Sequence, residues 1–132
     1  MIDVALRDWL LGFPLMADAV GERIYPGGLF PQGVVLPAVA FKDVSNIGSY
    51  TNDEGVTAWR EMRYQFNSQA LTLMEARNID ALLMSVLDGY RGPMGPHQVT
   101  GIFQRNSFPQ YQETAQQWRM VSDYTIQANI GA

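Results

Sequence analysis

Hydrophobic positions along the chain follow two periods, and each period predicts an element. Ile2, Leu6, Trp9, Leu10 and Phe13 share one face at helical spacing. Asp3 stands near the start as a cap, and Gly12 with Pro14 ends the helix. Leu15 to Val20 has room for one further short turn. Beyond Pro37 the period falls to two: Val39, Phe41 and Asp43 alternate with Ala38, Ala40 and Lys42, and the small residues suit close packing by a helix. Thr57 to Gln69 repeats the period-two pattern, with Met62, Tyr64 and Phe66 inward and Arg63, Gln65 and Asn67 outward. Thr72-Leu73-Met74-Glu75 is a capping box, in which a hydroxyl and a carboxylate can satisfy the first free amides of a helix. Ala76, Ile79, Leu83, Val86, Leu87 and Tyr90 continue it at helical spacing, and Gly89 stops it. Gln98 to Phe108 reads as a third strand and Gln117 to Ile130 as a fourth, in which Trp118, Met120, Tyr124 and Ile126 share a face.

The intervening segments are turns. Arg23-Ile24-Tyr25 is closed by Pro26-Gly27-Gly28, and Pro26, Pro31 and Pro37 with the nearby glycines predict a tight, ordered loop up to the first strand. Arg91 to Pro96 (R-G-P-M-G-P) predicts a second rigid turn. Gly48 to Gly55 (G-S-Y-T-N-D-E-G) is polar and too long for a two-residue hairpin, so an extended arm is expected there. Directly joined strands imply antiparallel pairs. The expectation is a single α+β domain over residues 1–132: an antiparallel sheet of about four strands with two main helices packed on one face.

Composition narrows the chemistry. The chain has 132 residues and no cysteine, which removes disulfides, thiolate metal sites and a thiol nucleophile. Thirteen acids against nine bases leave a net charge of −4, and one Lys with eight scattered Arg is a poor basis for gripping phosphates. No basic segment followed by an apolar run opens the chain, and no stretch is long and apolar enough to span a bilayer, so a soluble protein is expected. The one histidine, His97, lies between Pro96 and Gln98 with no carboxylate or nucleophile beside it in sequence. A small polar pocket built from His97, Asp43 or Glu61 is the form an enzyme would take. Asp53 and Glu54 are adjacent acids, too few for a calcium loop. Gly27-Gly28 and Gly92-Pro93-Met94-Gly95 lack the lysine and following helix of a phosphate loop. No catalytic residue, metal ligand or cofactor is therefore expected. Charged residues make up only 17% of the chain, below the usual quarter, which favours contact with other protein.

Trp59 is out of phase with Met62, Tyr64 and Phe66. A regular strand would point it away from the core as an interface anchor, whereas a bulge near Ala58 would turn it inward.

The layout resembles the tail-completion proteins of long-tailed bacteriophages, also called tail terminator or tail-to-head joining proteins. The likeness rests on the amino-terminal helix, Arg23-Ile24-Tyr25-Pro26 leading to a Pro-Gln loop, and Leu36-Pro37-Ala38-Val39-Ala40-Phe41 opening a strand with Val44-Ser45 beyond. It continues through the Thr57–Gln69 strand, the helix ending Leu87-Asp88-Gly89 and the closing Ser122-Asp123-Tyr124-Thr125-Ile126. The glutamine-rich stretch Gln104 to Gln117 departs from that pattern. The resemblance implies a non-enzymatic virion subunit in a ring, commonly of six copies. Such a ring ends tube growth and joins the tail tube protein to the head connector, with genomic DNA passing through. It also implies assembly in the host cytoplasm. Under it, Tyr50, Asp53 and Glu54 on the Gly48–Gly55 arm and Tyr111 and Glu113 in the Phe108–Gln117 connection are the interface candidates, beside Trp59 of the Thr57–Gln69 strand.

Overall fold

The computed structural model describes residues 2–51 and 55–130. Nine elements follow in order: α1 (Asp3–Leu11), α2 (Pro14–Val20), β1 (Ile24–Pro26), β2 (Ala38–Thr51), β3 (Gly55–Ala70), α3 (Leu73–Leu87), β4 (Gly92–Met94), β5 (His97–Gln112) and β6 (Gln117–Asn129). The strands form one sheet in the order β1-β2-β3-β6-β5-β4. All neighbours are antiparallel except β1, which runs parallel to β2.

This corrects the expected four-stranded antiparallel sheet with two helices. The sheet is mixed, six-stranded and curled into a half-barrel, and three helices accompany it. The two extra strands have three residues each and sit in segments whose prolines and glycines hide any period. Ile24 to Pro26 pairs with Val39 to Phe41, and the amide of Val39 donates to the carbonyl of Arg23 at 2.9 Å. Gly92 to Met94 pairs with His97 to Val99. The short turn after Pro14 is a helix of seven residues, with proline in the first turn where no amide partner is needed.

The core lies on one face of the sheet. Ile2, Leu6 and Leu10 of the α1 segment, Met16 and Val20 of α2, and Ile79, Leu83 and Leu87 of α3 pack onto Phe41, Met62, Tyr64, Phe66, Tyr124 and Ile126. Phe41 stacks on Phe66 at 5.3 Å, and Tyr124 meets Phe66 edge-on at 5.5 Å. Helix α3 covers β3, β6 and β5, whereas α1 touches both edge strands, β1 and β4. It therefore bridges the two margins of the curled sheet. Ala38 and Ala40 point away from the core face that holds Val39 and Phe41, so the small residues of β2 do not receive a helix. Thr72 caps α3 as the spacing predicts, its hydroxyl accepting from the amide of Glu75 at 3.2 Å. Asp3 is not a cap: Ile2 holds that position, and the Asp3 carboxylate instead accepts from the Tyr64 hydroxyl of β3.

Two long hairpins leave opposite ends of the sheet. The turn joining β5 to β6 lies beside Ala70, which faces Trp118. The β2–β3 ribbon points the other way. Strand β6 ends at Asn129 opposite Trp59, yet β2 and β3 stay paired out to Thr51 and Gly55. Four residues beyond Trp59 at ~3.3 Å each make an overhang of roughly 13 Å.

Candidate interaction surfaces

The helix-free face of the sheet is polar and carries a connected set of side chains. Lys42, Glu61, Arg63, Gln65, Asp123, Thr125 and Gln127 alternate with the core residues on β2, β3 and β6. The Arg63 guanidinium stands 4.0 Å from the Asp123 carboxylate, and Gln127 donates to Glu61 at 3.5 Å. Arg105 reaches the same face at a register shift between Gln104 and Asn106, donating to the Thr125 hydroxyl at 2.9 Å. Ser45, Ile47, Glu61, Arg63, Arg105 and Thr125 line an open depression of ≈ 370 Å³ there. With both signs of charge paired across strands, it resembles a solvated sheet face, without a convergent acid–base pair.

A second cleft, ≈ 450 Å³, runs between α1 and the β4–β5 turn. Val4, Ala5 and Trp9 form one wall, Gly95, Pro96 and His97 the other, and Asp8 stands at the rim. The walls are stiff. Trp9 is clasped by Phe13 at 4.8 Å and by Tyr90 at 4.5 Å. Gly95 has a φ of +59°, and a Cβ there would lie 3.0 Å from that of Ala5, so only glycine lets the helix approach the turn this closely. His97 is buried, and burial lowers its pKa, keeping the ring neutral at neutral pH. His97 and Glu61 belong to different clefts and Asp43 lines neither, so the structure does not gather the three into one pocket. Among the described residues no group of three or more His, Asp or Glu could hold a metal ion, and no helix is long and apolar enough to cross a membrane.

A third feature is the loop between β1 and β2. Leu29 is 81% exposed, the most of any large hydrophobic described, and Val35 is also exposed. The loop is nevertheless fixed: the amide of Val34 donates to Pro31 at 3.2 Å, Arg23 Nε donates to the carbonyl of Pro37 at 3.0 Å, and Phe30 meets Tyr25 edge-on at 6.2 Å. Gly28, at φ +79°, lies so close over the stem of Lys42 that a Cβ would stand 2.8 Å from Lys42 Cδ. An apolar tip held up on a rigid base is a knob.

Of the residues singled out from the sequence, Asp53 and Glu54 lie outside the described residues. Tyr50 is in β2 opposite Val56, at the overhanging end of the ribbon. Trp59 is half-buried and pairs with Asn129 in continuous register with the rest of β3, which puts it on the face of Glu61 and Arg63. An irregularity does occur between Gly48 and Tyr50, opposite Ala58, but it does not turn Trp59 into the core. Tyr111 is half exposed and packs on Trp118 at 4.9 Å, and Glu113 sits in the turn beyond, its carbonyl accepting from Gln116. These candidates therefore fall at two opposite ends of the sheet. The sequence reading missed the cleft, whose walls are about 90 residues apart in the chain, and a buried polar cluster. In that cluster the Asp80 carboxylate of α3 accepts from Ser107 at 3.0 Å and from Ser122, tying the helix to β5 and β6.

No family model matches the chain, and no curated protein matches it in sequence. Its fold does recur. A chain of a solved structure described as "Virion of native gene transfer agent (GTA) particle" superposes with a TM-score of 0.68, covering 97% of this chain and 94% of that one, at 15% identity. At that identity the likeness establishes a common fold.

Proposed function

We propose that this chain is a structural subunit of a phage-like virion, acting as a ring at the head-proximal end of the tail. The observation that supports this most is the end-to-end superposition on a virion chain, with almost nothing left over on either side. The virion subunit assembles with other virion proteins and performs no catalysis. Its ring, commonly of six copies, ends tube growth and docks the tail tube to the head connector, leaving a channel for DNA. A domain of this size has a radius of gyration of ~14 Å, and six such bodies in a ring enclose a hole about one body wide. The overhanging β2–β3 ribbon and the β5–β6 turn, with Tyr111 and Glu113, then reach towards the components on either side of the ring, and Tyr50, Asp53 and Glu54 stay interface candidates. Trp59, on the polar face near the root of the ribbon, is covered by one of them.

Native mass spectrometry across a range of concentrations tests the reading. A closed species near six subunits is expected, visible as rings in the electron microscope. A strict monomer, or long polymers of the kind a tube subunit makes, would refute the terminator role. In assembled particles, removing Tyr50 to Glu54 should leave folding intact and prevent stable tail attachment.

A further inference from the structure

We infer that neighbouring copies of this chain join by seating the Leu29 knob of one in the α1/β4–β5 cleft of the next. The inference rests on the ring reading and supplies its contact. The knob follows edge strand β1 and the cleft flanks edge strand β4, so the two lie at opposite margins of the curled sheet with α1 between them. A contact between two different patches is heterologous, and its repetition either closes a ring or grows a filament.

The surfaces match in chemistry. The knob offers Leu29 and Val35, both largely exposed, on a loop with no charged residue from Gly27 to Pro37. The cleft offers Val4, itself 67% exposed, with Ala5, Trp9 and Pro96 around a ≈ 450 Å³ space, room for a leucine and part of its neighbours. Both are costly to leave in water, and each is rigid before contact, so little conformational freedom is lost on docking. Charge agrees at the rim. Lys42 is exposed at the base of the knob and Asp8 is exposed at the edge of the cleft, so the two patches carry opposite charges. A second copy of this chain carries both halves of the match, which singles it out as the occupant.

The test uses two exposed positions whose substitution spares the core. Leu29→Asp spoils the knob and Val4→Arg fills the cleft. Each variant alone should melt like the unmodified chain and require at least about thirtyfold more protein to assemble, the loss expected of a buried interface anchor. Mixed together, they retain one good knob and one good cleft, so they should form a 1:1 dimer of twice the 14.8 kDa chain mass and nothing larger. Asp8→Lys and Lys42→Glu should each weaken assembly, and the two together should restore it. Unimpaired rings from Leu29→Asp, or no dimer from the mixture, would overturn the contact while leaving the ring itself standing. Open chains of the unmodified protein that Leu29→Asp abolishes would keep the contact and remove the ring. A monomer at every concentration would remove both.

Discussion

Two tyrosines deep in the sheet make the protein's stability depend on pH from the alkaline side. Tyr64 and Tyr124 are wholly buried, and burial raises both phenol pKa values above the ordinary range. The Asp3 carboxylate that accepts from Tyr64 adds to the first, and the charges of Asp80 and Asp88 add to the second. The folded state thus holds protons that the unfolded chain gives up above pH ~10. Where the folded state binds more protons, stability falls as pH rises. Their contribution is fully present below pH ~10 and is lost above it, at up to about 1.4 kcal/mol per pH unit for each ring. Urea unfolding between pH 9 and 11.5 should show this slope setting in near 10, and Tyr64→Phe should reduce it. A flat profile would mean that neither phenol is held in its neutral form. His97 acts from the acid side. Burial lowers its pKa, so the unfolded chain gains the proton first and stability falls as pH drops below ~6.5.

Helix α3 is the element most fully written in the sequence, and its start can be tested by itself. The Thr72 hydroxyl accepts from the amide of Glu75 at an exposed end, so Thr72→Ala should cost about 1 kcal/mol in urea unfolding without disturbing the fold. A neutral result would show that water serves that amide equally well. The same element marks the limit of periodicity. Ile79, Leu83 and Leu87 were legible as its buried face, but Asp80 was not, because a carboxylate turned towards a sheet is satisfied only by Ser107 and Ser122, far along the chain. Strands β3 and β6 alternate over a dozen positions and announced themselves, whereas β1 and β4 are too short to establish a period and depend on what they lie beside. The interaction surfaces were half legible. The Pro-Gly spacing between β1 and β2 foretold a fixed loop, but only the fold reveals that Leu29 stands out from it. Nothing local joins Val4 to Pro96, since the cleft exists only because α1 bridges the edges of a sheet that had first to curl.

At the scale of the molecule, charge is unevenly shared, and if the proposed ring lined its channel with the helix-free face, this would bear on what that channel does to DNA. Among the described residues, Lys42, Arg63, Arg105 and Arg119 lie on the helix-free face with Glu61 and Asp123, so four of nine bases and two of eleven acids are there, an excess of two positive charges. The other described residues then carry five bases against nine acids. Three of the four cations are already engaged, Arg63 with Asp123, Arg105 with the Thr125 hydroxyl at 2.9 Å and Arg119 with the side-chain oxygen of Gln69 at 3.1 Å. Affinity for duplex DNA grows with the number of phosphates neutralised, and its logarithm falls with log salt at about −0.9 per contact. Even if all four cations of this face met phosphate, the slope per subunit could not pass about −4, and with three engaged it should be nearer −1. A labelled duplex titrated with the Leu29→Asp chain, monomeric by the contact argued above, should therefore show no binding tighter than ~10⁻⁴ M at 0.15 M salt. Weak contact is what a passage requires, because a wall that grips each phosphate stalls the strand it must release. Micromolar binding with a steep salt slope would reverse this, making the helix-free face a DNA-holding surface, and Arg63→Gln with Arg105→Gln would then abolish it.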